Sequence, residues 1–451
     1  MPMFSRYNHF LPWQNGSWLA YNARSGAVAL MDKKQYAAFG DLSQKMIEGK
    51  MDNLTQAERE LLLQLQYGFF VHVDDFSELD WLNFEHLRAR YAETVLALAV
   101  APTLACNMAC TYCFEGDKRG RMSTTVAQDL IEFIKKRSQR IRLLDVTWYG
   151  GEPLLALDII KEFTSKVIDL SSQCGFQYVS MMITNGYLLS ADVVDRLVEL
   201  KCTGVQVTLD GPPQMHDKRR PLKNGLGTFR TIIQNLKYAS AKMAVSIRVN
   251  IDKSSSIEMI RQLLAELKVA NLESRIGINY AMVEASTAAC AGIADSCYGS
   301  IDFAKVEAEY YSLLLSEGFF IGKLPVPNNS YCIAQQINSF VVDPDGDLYR
   351  CFAYVGDKSK SMGKISDDIN YQHPEFTRLF RFDPFVDEAC RACSILPLCM
   401  GSCPAKRVDR QVSRELICSS WKYNLEPMLK IIALSRLQQM QQVAVAAKEE
   451  V

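Results

Sequence analysis

The sequence predicts an α/β fold, in which an open, partial (β/α)6 barrel lies between a small N-terminal α+β module and a cysteine-rich C-terminal region. Between about residues 94 and 283, short strand-like apolar runs alternate with helical stretches, and six such units indicate parallel strands with helical crossovers. Beyond this region, regular periodicity gives way to cysteines. A closed eight-unit barrel needs about 250 residues, and only about 190 are available, which favours a partial barrel.

Composition is that of an ordinary globular protein. The 451 residues are 48% hydrophobic and 22% charged, and the formal net charge is −1. This balance favours neither a nucleic acid nor an acidic membrane surface as a partner. The N-terminus lacks the pattern of a secretory signal, and no apolar run reaches the roughly 18 residues that span a bilayer. We therefore expect a cytoplasmic protein whose thiols stay reduced.

The first 93 residues predict a winged-helix-like module. Residues 17–31 indicate a β-hairpin with a polar turn, and residues 33–48 and 55–66 indicate two helices. Thr55 and Glu58 have the spacing of a capping box at the start of the second helix. A further strand is expected over residues 67–73.

The barrel strands are predicted from short apolar runs at residues 95–102, 145–150, 178–185, 204–210, 245–251 and 276–282. The helices between them are predicted at residues 125–141, 158–170, 191–200, 228–239 and 256–269. A tail helix is expected from about residue 425. The predicted domains are residues 1–93, 94–283, 284–424 and 425–451.

Three cysteines follow the first predicted strand with the spacing C-x3-C-x2-C: Cys106, Cys110 and Cys113. Three thiolates on one loop can hold three irons of a [4Fe–4S] cube and leave the fourth iron open to an amine and a carboxylate. A ferredoxin-like or zinc loop that lacks one ligand is the alternative. With Tyr112 directly before the last cysteine, the loop resembles the signature of the radical SAM superfamily, whose members cleave S-adenosylmethionine (SAM).

This resemblance implies a radical SAM barrel that carries a [4Fe–4S] cluster on the three cysteines and binds SAM. It also implies a reducing electron donor such as flavodoxin or ferredoxin. Two glycines in the segment WYGGEPLL let a backbone approach a ligand closely, and the family uses this element for the amine of SAM. The SAM-binding residues implied at the strand ends are Tyr112, Gly150, Gly151, Glu152, Asn185, Thr208 and Arg220.

The implied roles differ along the site. Tyr112 would line the adenine pocket, while Thr208 and Arg220 would contact the ribose and the methionine carboxylate. Relatives commonly have Ser where Thr208 stands, and the hydroxyl is retained. An arginine suits a carboxylate because its planar fork binds two oxygens.

Seven more cysteines form an ordered C-terminal pattern: Cys332, Cys351, Cys390, Cys393, Cys399, Cys403 and Cys418. Taken alone, the pattern fits iron–sulfur clusters or two structural zinc sites. Beside the first loop it resembles the SPASM domain, which carries two auxiliary [4Fe–4S] clusters. The resemblance assigns one cluster to Cys390, Cys393, Cys399 and Cys418. It assigns the other to Cys332, Cys351 and Cys403.

The second of these sets has three members. Relatives with a full set have a further cysteine shortly before the residue that matches Cys332, and this chain has none there. Two alternatives remain open: an open iron for a substrate, or a fourth ligand from Cys290 or Cys297. Cys174 and Cys202 have apolar neighbours and are expected to be buried core thiols.

SPASM relatives mostly modify peptides and proteins, so hydrogen abstraction from a peptide or protein side chain is expected. The main hypothesis is a maturase of ribosomally made peptides that forms a thioether or carbon–carbon cross-link. The alternative is an anaerobic sulfatase-maturating enzyme, which makes formylglycine. Against it, that family has an acidic residue directly after the cysteine matching Cys351, where this chain has Phe352.

The N-terminal extension of about 90 residues also separates this chain from the sulfatase-maturating family. It resembles modules that bind a leader peptide as an added strand, although a packing cap over the barrel is an alternative. A non-catalytic iron–sulfur electron-transfer protein is a further alternative, which the intact three-cysteine loop and the glycine element disfavour.

Overall fold

The computed structural model describes residues 2–72, 75–115, 120–328, 332–409 and 413–449, with side chains described as far as residue 440. Its strands are β1 (Met3–Phe4), β2 (Asn8–Pro12), β3 (Trp18–Asn22), β4 (Val28–Met31), β5 (Val71–His72), β6 (Val95–Val100), β7 (Leu143–Trp148), β8 (Gln177–Thr184), β9 (Cys202–Thr208), β10 (Ala244–Ile251), β11 (Ile276–Met282), β12 (Ser339–Val342) and β13 (Leu348–Tyr349).

Its α-helices are α1 (Lys33–Ile47), α2 (Gln56–Tyr67), α3 (Glu78–Arg90), α4 (Thr124–Lys135), α5 (Leu157–Cys174), α6 (Ala191–Glu199), α7 (Pro213–Arg219), α8 (Phe229–Ala239), α9 (Ile257–Val269), α10 (Ser300–Ser316), α11 (Pro374–Arg378), α12 (Glu388–Arg391), α13 (Leu396–Cys399), α14 (Pro404–Asp409), α15 (Arg414–Ile417) and α16 (Trp421–Glu449).

The central sheet confirms the α/β prediction. Its order is β11-β10-β9-β8-β7-β6-β12-β13, and the six predicted strands, β6 to β11, run parallel to one another. The five predicted helices between them begin within one residue of their expected positions. Because successive side chains of a strand point to opposite faces, Val245, Ile247 and Val249 pack in the helix-covered core, while Ser246 and Arg248 lie on the other face.

Regular structure continues beyond residue 283, where the sequence periodicity fades. Helix α10 occupies Ser300–Ser316 and packs against α16, and it follows β11 as the sixth helix of the barrel. Buried residues lie around much of its circumference, including Ala308, Tyr310 and Leu313. A helix buried on several sides has no single apolar stripe, so its periodicity is weak.

The C-terminal region also extends the barrel sheet. Strand β12 pairs in parallel with β6, from Ser339 opposite Ala97 to Val342 opposite Val100, and β13 adds an antiparallel edge. The pairing of β12 with β6 was not predicted, because the two strands lie far apart in sequence; the short hairpin of β12 and β13 was also missed.

The N-terminal module contains the predicted hairpin, β3 and β4, and the predicted capping box, in which Thr55 and Glu58 each bond the other's backbone N–H. Strand β2 joins the hairpin at its other side and was missed, as was helix α3. Of the strand expected over residues 67–73, Val71–His72 is present and residue 73 lies outside the described residues. The strand does not begin earlier because Phe69 takes a left-handed φ of 61°.

The module packs on the cysteine-rich region. The Tyr21 hydroxyl donates to the Pro325 carbonyl at 2.5 Å, and the Arg6 guanidinium donates to the Arg391 carbonyl at 2.7 Å. Tyr7 and Leu19 are fully buried within the main core. Across the described segments, the model contains no helix that is both long and apolar enough to cross a bilayer.

We expect Phe163→Ala to destabilise the barrel strongly. The ring is 1% exposed on α5 and packs edge to face on Trp148, with centroids 5.4 Å apart. Loss of a buried phenylalanine costs about 3–5 kcal/mol, which thermal unfolding will show as a lower melting temperature. The matched control is Val269→Ala on α9, where the side chain is 80% exposed, and we expect a change within about 0.5 kcal/mol.

Candidate functional site

The site lies where the parallel strands end. The three-cysteine loop follows β6, the segment Gly150–Gly151–Glu152 follows β7, and Asn185 follows β8. Parallel strands present their carboxyl ends at one edge, so these segments meet there.

The cysteine loop is held by the segment after α7. The Ala109 N–H donates to the Pro221 carbonyl at 2.9 Å, and the Thr111 N–H donates to the Arg219 carbonyl at 3.0 Å. Cys106, Cys110 and Cys113 are half-buried on this loop. Burial raises the pKa of Cys106 to about 11, so the thiol holds its proton at neutral pH and releases it when a metal binds.

The two glycines contact the cysteine loop itself. A Cβ on Gly150 would lie 2.3 Å from the Thr103 carbonyl oxygen, and one on Gly151 would lie 2.3 Å from that of Ala105. The Gly151 N–H donates to Thr103 at 3.2 Å, and the Glu152 N–H donates to Ala105 at 2.9 Å. The glycines therefore allow backbone to meet backbone, a role that the sequence did not predict.

The Glu152 carboxylate joins the ends of β7 and β8. It is fully buried and accepts hydrogen bonds from the Thr184 hydroxyl at 2.8 Å, the Asn185 N–H at 2.8 Å and the Leu154 N–H at 3.1 Å. Burial raises the pKa of Glu152, and these donors oppose that shift. Both oxygens are thus engaged by the protein.

Asn185 connects β8 to the cysteine loop. Its side-chain Nδ2 donates to Asn107 Oδ1 at 2.7 Å and lies 3.8 Å from Cys106 Sγ. Its Oδ1 accepts the Tyr187 N–H at 3.0 Å, which fixes the orientation of the amide. The predicted site residues of β7 and β8 and the first cysteine therefore form one hydrogen-bonded unit.

A second unit lies at the ends of β9 and β10. The Tyr112 hydroxyl donates to the Asp210 carboxylate and accepts from Arg220 Nη1 at 2.6 Å and Asn250 Nδ2 at 3.0 Å. The Asn250 N–H donates to the same carboxylate at 2.9 Å. Burial raises the pKa of Tyr112. The phenol and Arg220 are therefore held together beside the second cysteine of the loop.

Thr208 is the last residue of β9 and lies opposite Arg248 of β10, at the same edge as the Tyr112 unit. Asn250 and Asn107 were missed by sequence reasoning. The available signal for Asn250 was its position at the end of a predicted strand. For Asn107, whose Oδ1 accepts from Asn185 and Cys106, the signal was its position directly after the first cysteine of the loop.

The seven later cysteines fall into two neighbourhoods. Burial raises the pKa of Cys351 to about 12, and charge on Cys332 and Cys403 adds to this shift. Burial also raises the pKa of Cys399, to which Cys418 and Cys393 contribute by charge. Charge on Cys399 in turn contributes to the raised pKa of Cys390, whose main cause is burial. Cys332, Cys351 and Cys403 are thus close enough to interact electrostatically. The same holds for the set of Cys390, Cys393, Cys399 and Cys418.

Three acidic side chains shortly before Cys351 have metal-ligand spacing. Among the described residues, Asp343, Asp345 and Asp347 bring three ligand atoms within 4.8 Å of one another. The Lys358 ammonium pairs with all three carboxylates and so balances part of their charge.

Cys290 and Cys297 lie on the loop between β11 and α10. Cys290 is 3% exposed, and its Sγ lies 3.4 Å from the Thr287 carbonyl oxygen. Cys297 Sγ lies 3.4 Å from the Ile293 carbonyl oxygen. Both thiols therefore bond within their own loop. Of the two predicted core thiols, Cys202 is buried, whereas Cys174 is only half-buried at the end of α5.

An aromatic contact separates the first cysteine loop from the later set. Tyr149 directly precedes the glycines, and Phe352 directly follows Cys351. Their rings meet edge to face with centroids 4.7 Å apart. The two rings belong to an apolar cluster that also contains Leu104 and Tyr349.

We expect Gly151→Ala to disrupt the cysteine loop, since its Cβ would overlap three backbone atoms within 2.6 Å. The prediction is a loss of about one third of the iron in anaerobically reconstituted protein that otherwise holds three clusters. Gly277→Ala on β11 is the matched control, because a Cβ there meets nothing within 4 Å. Equal iron in both variants would contradict this account of the glycines.

Comparison with known proteins agrees with this geometry. Residues 100–267 match the family description Radical SAM superfamily. The cysteine-type anaerobic sulfatase-maturating enzyme of Clostridium perfringens (strain 13 / Type A) is 26% identical over 363 residues, which cover 72% of this chain and 94% of that protein. The mycofactocin maturase MftC of Mycobacterium tuberculosis (strain ATCC 25618 / H37Rv) is 24% identical and covers 68% of this chain and 77% of its own.

Two solved structures share the fold. Native anSMEcpe with bound AdoMet and Cp18Cys peptide has a TM-score of 0.59 and 21% identity, and covers 76% of this chain and 99% of that one. Streptococcus suis SuiB bound to its precursor peptide SuiA has a TM-score of 0.53 and 14% identity, and covers 92% of this chain and 98% of that one. Together with the site, these matches establish that the chain is an enzyme with a radical SAM domain at residues 100–267.

Proposed function

We propose that this enzyme is a maturase of ribosomally made peptides that forms a thioether or carbon–carbon cross-link in a substrate carrying a leader. The observation that carries the proposal is the extent of the shared fold. Residues 94–451 make up about 79% of the chain. The match to SuiB bound to its precursor peptide covers 92% of the chain, so it must include part of the N-terminal module. The match to anSMEcpe covers 76% of the chain.

The module offers an edge strand to a peptide. Strand β4 is at the edge of the sheet β2-β3-β4. The Asn22 N–H donates to the Ala27 carbonyl at 3.0 Å, and the alternation of an antiparallel ladder then directs the N–H groups of Val28 and Leu30 away from β3. The Leu30 side chain is 40% exposed beside them. A leader peptide can add as a further strand here.

The chemistry divides between the cofactors and the chain. When bound, the cluster and SAM supply a 5′-deoxyadenosyl radical that abstracts hydrogen from an unactivated carbon. We assign cluster binding to Cys106, Cys110 and Cys113. Arg220, held beside this loop, suits the SAM carboxylate. The Glu152 carboxylate and the glycines fix the loop to the strand ends.

Auxiliary clusters would receive an electron after hydrogen abstraction. A cross-link removes two hydrogens from the peptide, so the substrate loses one hydrogen atom to the radical, then one proton and one electron. The contacting rings of Tyr149 and Phe352 would form an apolar wall between the proposed SAM site and Cys351. Such a wall keeps water from a reactive substrate. The 14 free cysteines support action in the reducing cytoplasm, with flavodoxin or ferredoxin as the reductant.

Sulfatase maturation is the second candidate. It is favoured by the 26% sequence identity to the cysteine-type sulfatase-maturating enzyme, which extends over 94% of the length of that protein. Phe352 argues against it, since the sulfatase-maturating family has an acidic residue at that position and here the ring is packed on Tyr149. A precursor-peptide gene beside this one supports peptide maturation, whereas a sulfatase gene supports the alternative.

We expect the anaerobically reconstituted enzyme to release 5′-deoxyadenosine from SAM in the presence of dithionite, which liquid chromatography will detect. The variant with Cys106, Cys110 and Cys113 replaced by Ala should lose this activity and keep about two thirds of the iron. Complete loss of iron would show that the cysteine sets do not load independently. Clusters without any nucleoside product would refute the enzymatic proposal for this site.

We expect Leu30→Pro to weaken binding of the precursor peptide. Proline removes an outward N–H donor, and an edge strand tolerates the residue. Loss of this hydrogen bond, with weakening of the adjacent ones between the two strands, predicts a Kd about tenfold higher. This corresponds to a loss of about 1.4 kcal/mol of binding free energy, and fluorescence anisotropy will measure it. SAM cleavage without peptide should be unchanged. Ile257→Pro is the control, since Ile257 is 42% exposed at the first position of α9, where a helix tolerates proline; equal weakening there would refute β4 as the docking edge.

A further inference from the structure

Arg350 is a buried cation bonded to neutral groups. The residue is 1% exposed and directly precedes Cys351. The hydrogen bonds that its guanidinium makes to described residues all go to backbone carbonyl oxygens: Ile333, Ala334, Gln336 and Ser339. The shortest are 2.6 Å from Nη2 to Gln336 and 2.7 Å from Nη1 to Ser339.

Aromatic faces complete its surroundings. The guanidinium carbon lies 4.8 Å from the ring centroid of Phe376, 5.1 Å from that of Phe380 and 5.7 Å from that of Phe340. Rings and carbonyl dipoles stabilise a cation, but they carry no net negative charge. A buried charge is costly unless an anion compensates it.

The groups nearby that can acquire negative charge are the Cys332 thiol and the Tyr371 phenol, and of these only the thiol can bind a cluster. Cys332 begins the loop whose carbonyls Arg350 binds, and charge on its thiol acts on the guanidinium. Cys351 is the next residue in the chain. Arg350 therefore connects the segment that carries Cys332 to the segment that carries Cys351. Its hydrogen bonds go to neutral carbonyl groups, so its positive charge is not balanced by them.

Neighbouring arginines differ in this respect. The charge on Arg378 acts on Cys351, but its guanidinium pairs with Glu375 at 2.7 Å and with Asp409. Arg407 lies beside the other cysteine set, with Nη2 3.8 Å from Cys418 Sγ. Arg350 thus combines deep burial with contact to neutral partners only, among the described residues.

We propose that Arg350 is the counter-charge of the cluster held by Cys332, Cys351 and Cys403, and that it raises the reduction potential of this cluster. The inference rests on the assignment of these cysteines to a cluster. Reduction adds one negative charge to a thiolate-bound cluster, and a fixed cation nearby stabilises the reduced form more than the oxidised form. Arg350 is a positioning residue, since it acts through the cluster and not on the substrate.

The test uses the full chain with Cys106, Cys110 and Cys113 replaced by Ala, so that the two auxiliary clusters give the paramagnetic signals. Redox titration followed by electron paramagnetic resonance compares Arg350→Gln with Arg350→Lys. We expect Arg350→Gln to lower one midpoint potential, so that the reduced-to-oxidised ratio falls about tenfold at a fixed potential, or 59 mV for one electron. Arg350→Lys keeps the charge and should shift less.

Arg407→Gln is the matched control and should move the potential of the other cluster only. Arg350→Gln with full iron and parental potentials would overturn the proposal. If Arg350→Gln loses the cluster and Arg350→Lys retains it, a positive charge is required there, as proposed. Loss of the cluster from both variants would assign the effect to the hydrogen-bonding fork instead. A parent with iron for a single cluster would refute the cluster assignment itself, before any variant is compared.

Discussion

Backbone packs directly on backbone where the end of β7 meets the cysteine loop, and the rest of the site depends on this contact. Carbonyl oxygens of Thr103 and Ala105 occupy the space that a Cβ would need at residues 150 and 151. With the loop seated, Glu152 can bind the end of β8, and Asn185 can reach back to Asn107. The cysteines are thus positioned by a series of contacts that begins at two glycines, whose lack of a Cβ makes room for the loop.

Charge is the second constraint on the site. Burial keeps the Cys106 and Cys351 thiols protonated without a cluster, as the pKa of about 11 at Cys106 and about 12 at Cys351 indicates. Cluster binding exchanges these protons for metal and brings negative charge into the interior. The charge of Arg220 opposes the rise in the pKa of Cys110, and Arg407 lies beside Cys418. Each of these two cysteine regions therefore has a cation next to its thiols. Cofactor binding and stability of the fold are therefore coupled.

Sequence patterns predicted what depends on local order. Six strands, five helices and the cysteine groups follow from apolar runs and spacing, and all six strands are present. Helix α10 was missed because burial on several sides removes its periodicity, and β12 was missed because its partner lies in another region of the chain. The contact of Gly150 and Gly151 with the cysteine loop was missed for a related reason: a turn and a close backbone approach use the same residues, and only the tertiary structure shows which backbone segment comes near.

The pairing of β12 with β6 has a consequence for synthesis on the ribosome. Ser339 pairs with Ala97, 242 residues earlier in the chain, and translation at about 5–20 residues per second separates the two by roughly 10 to 50 s. During that interval the first barrel strand presents unpaired donors and acceptors at an open edge, which is a site for misassociation. Six of the seven C-terminal cysteines, all except Cys332, emerge later still. The nascent barrel must therefore be shielded before it can be completed and loaded with iron.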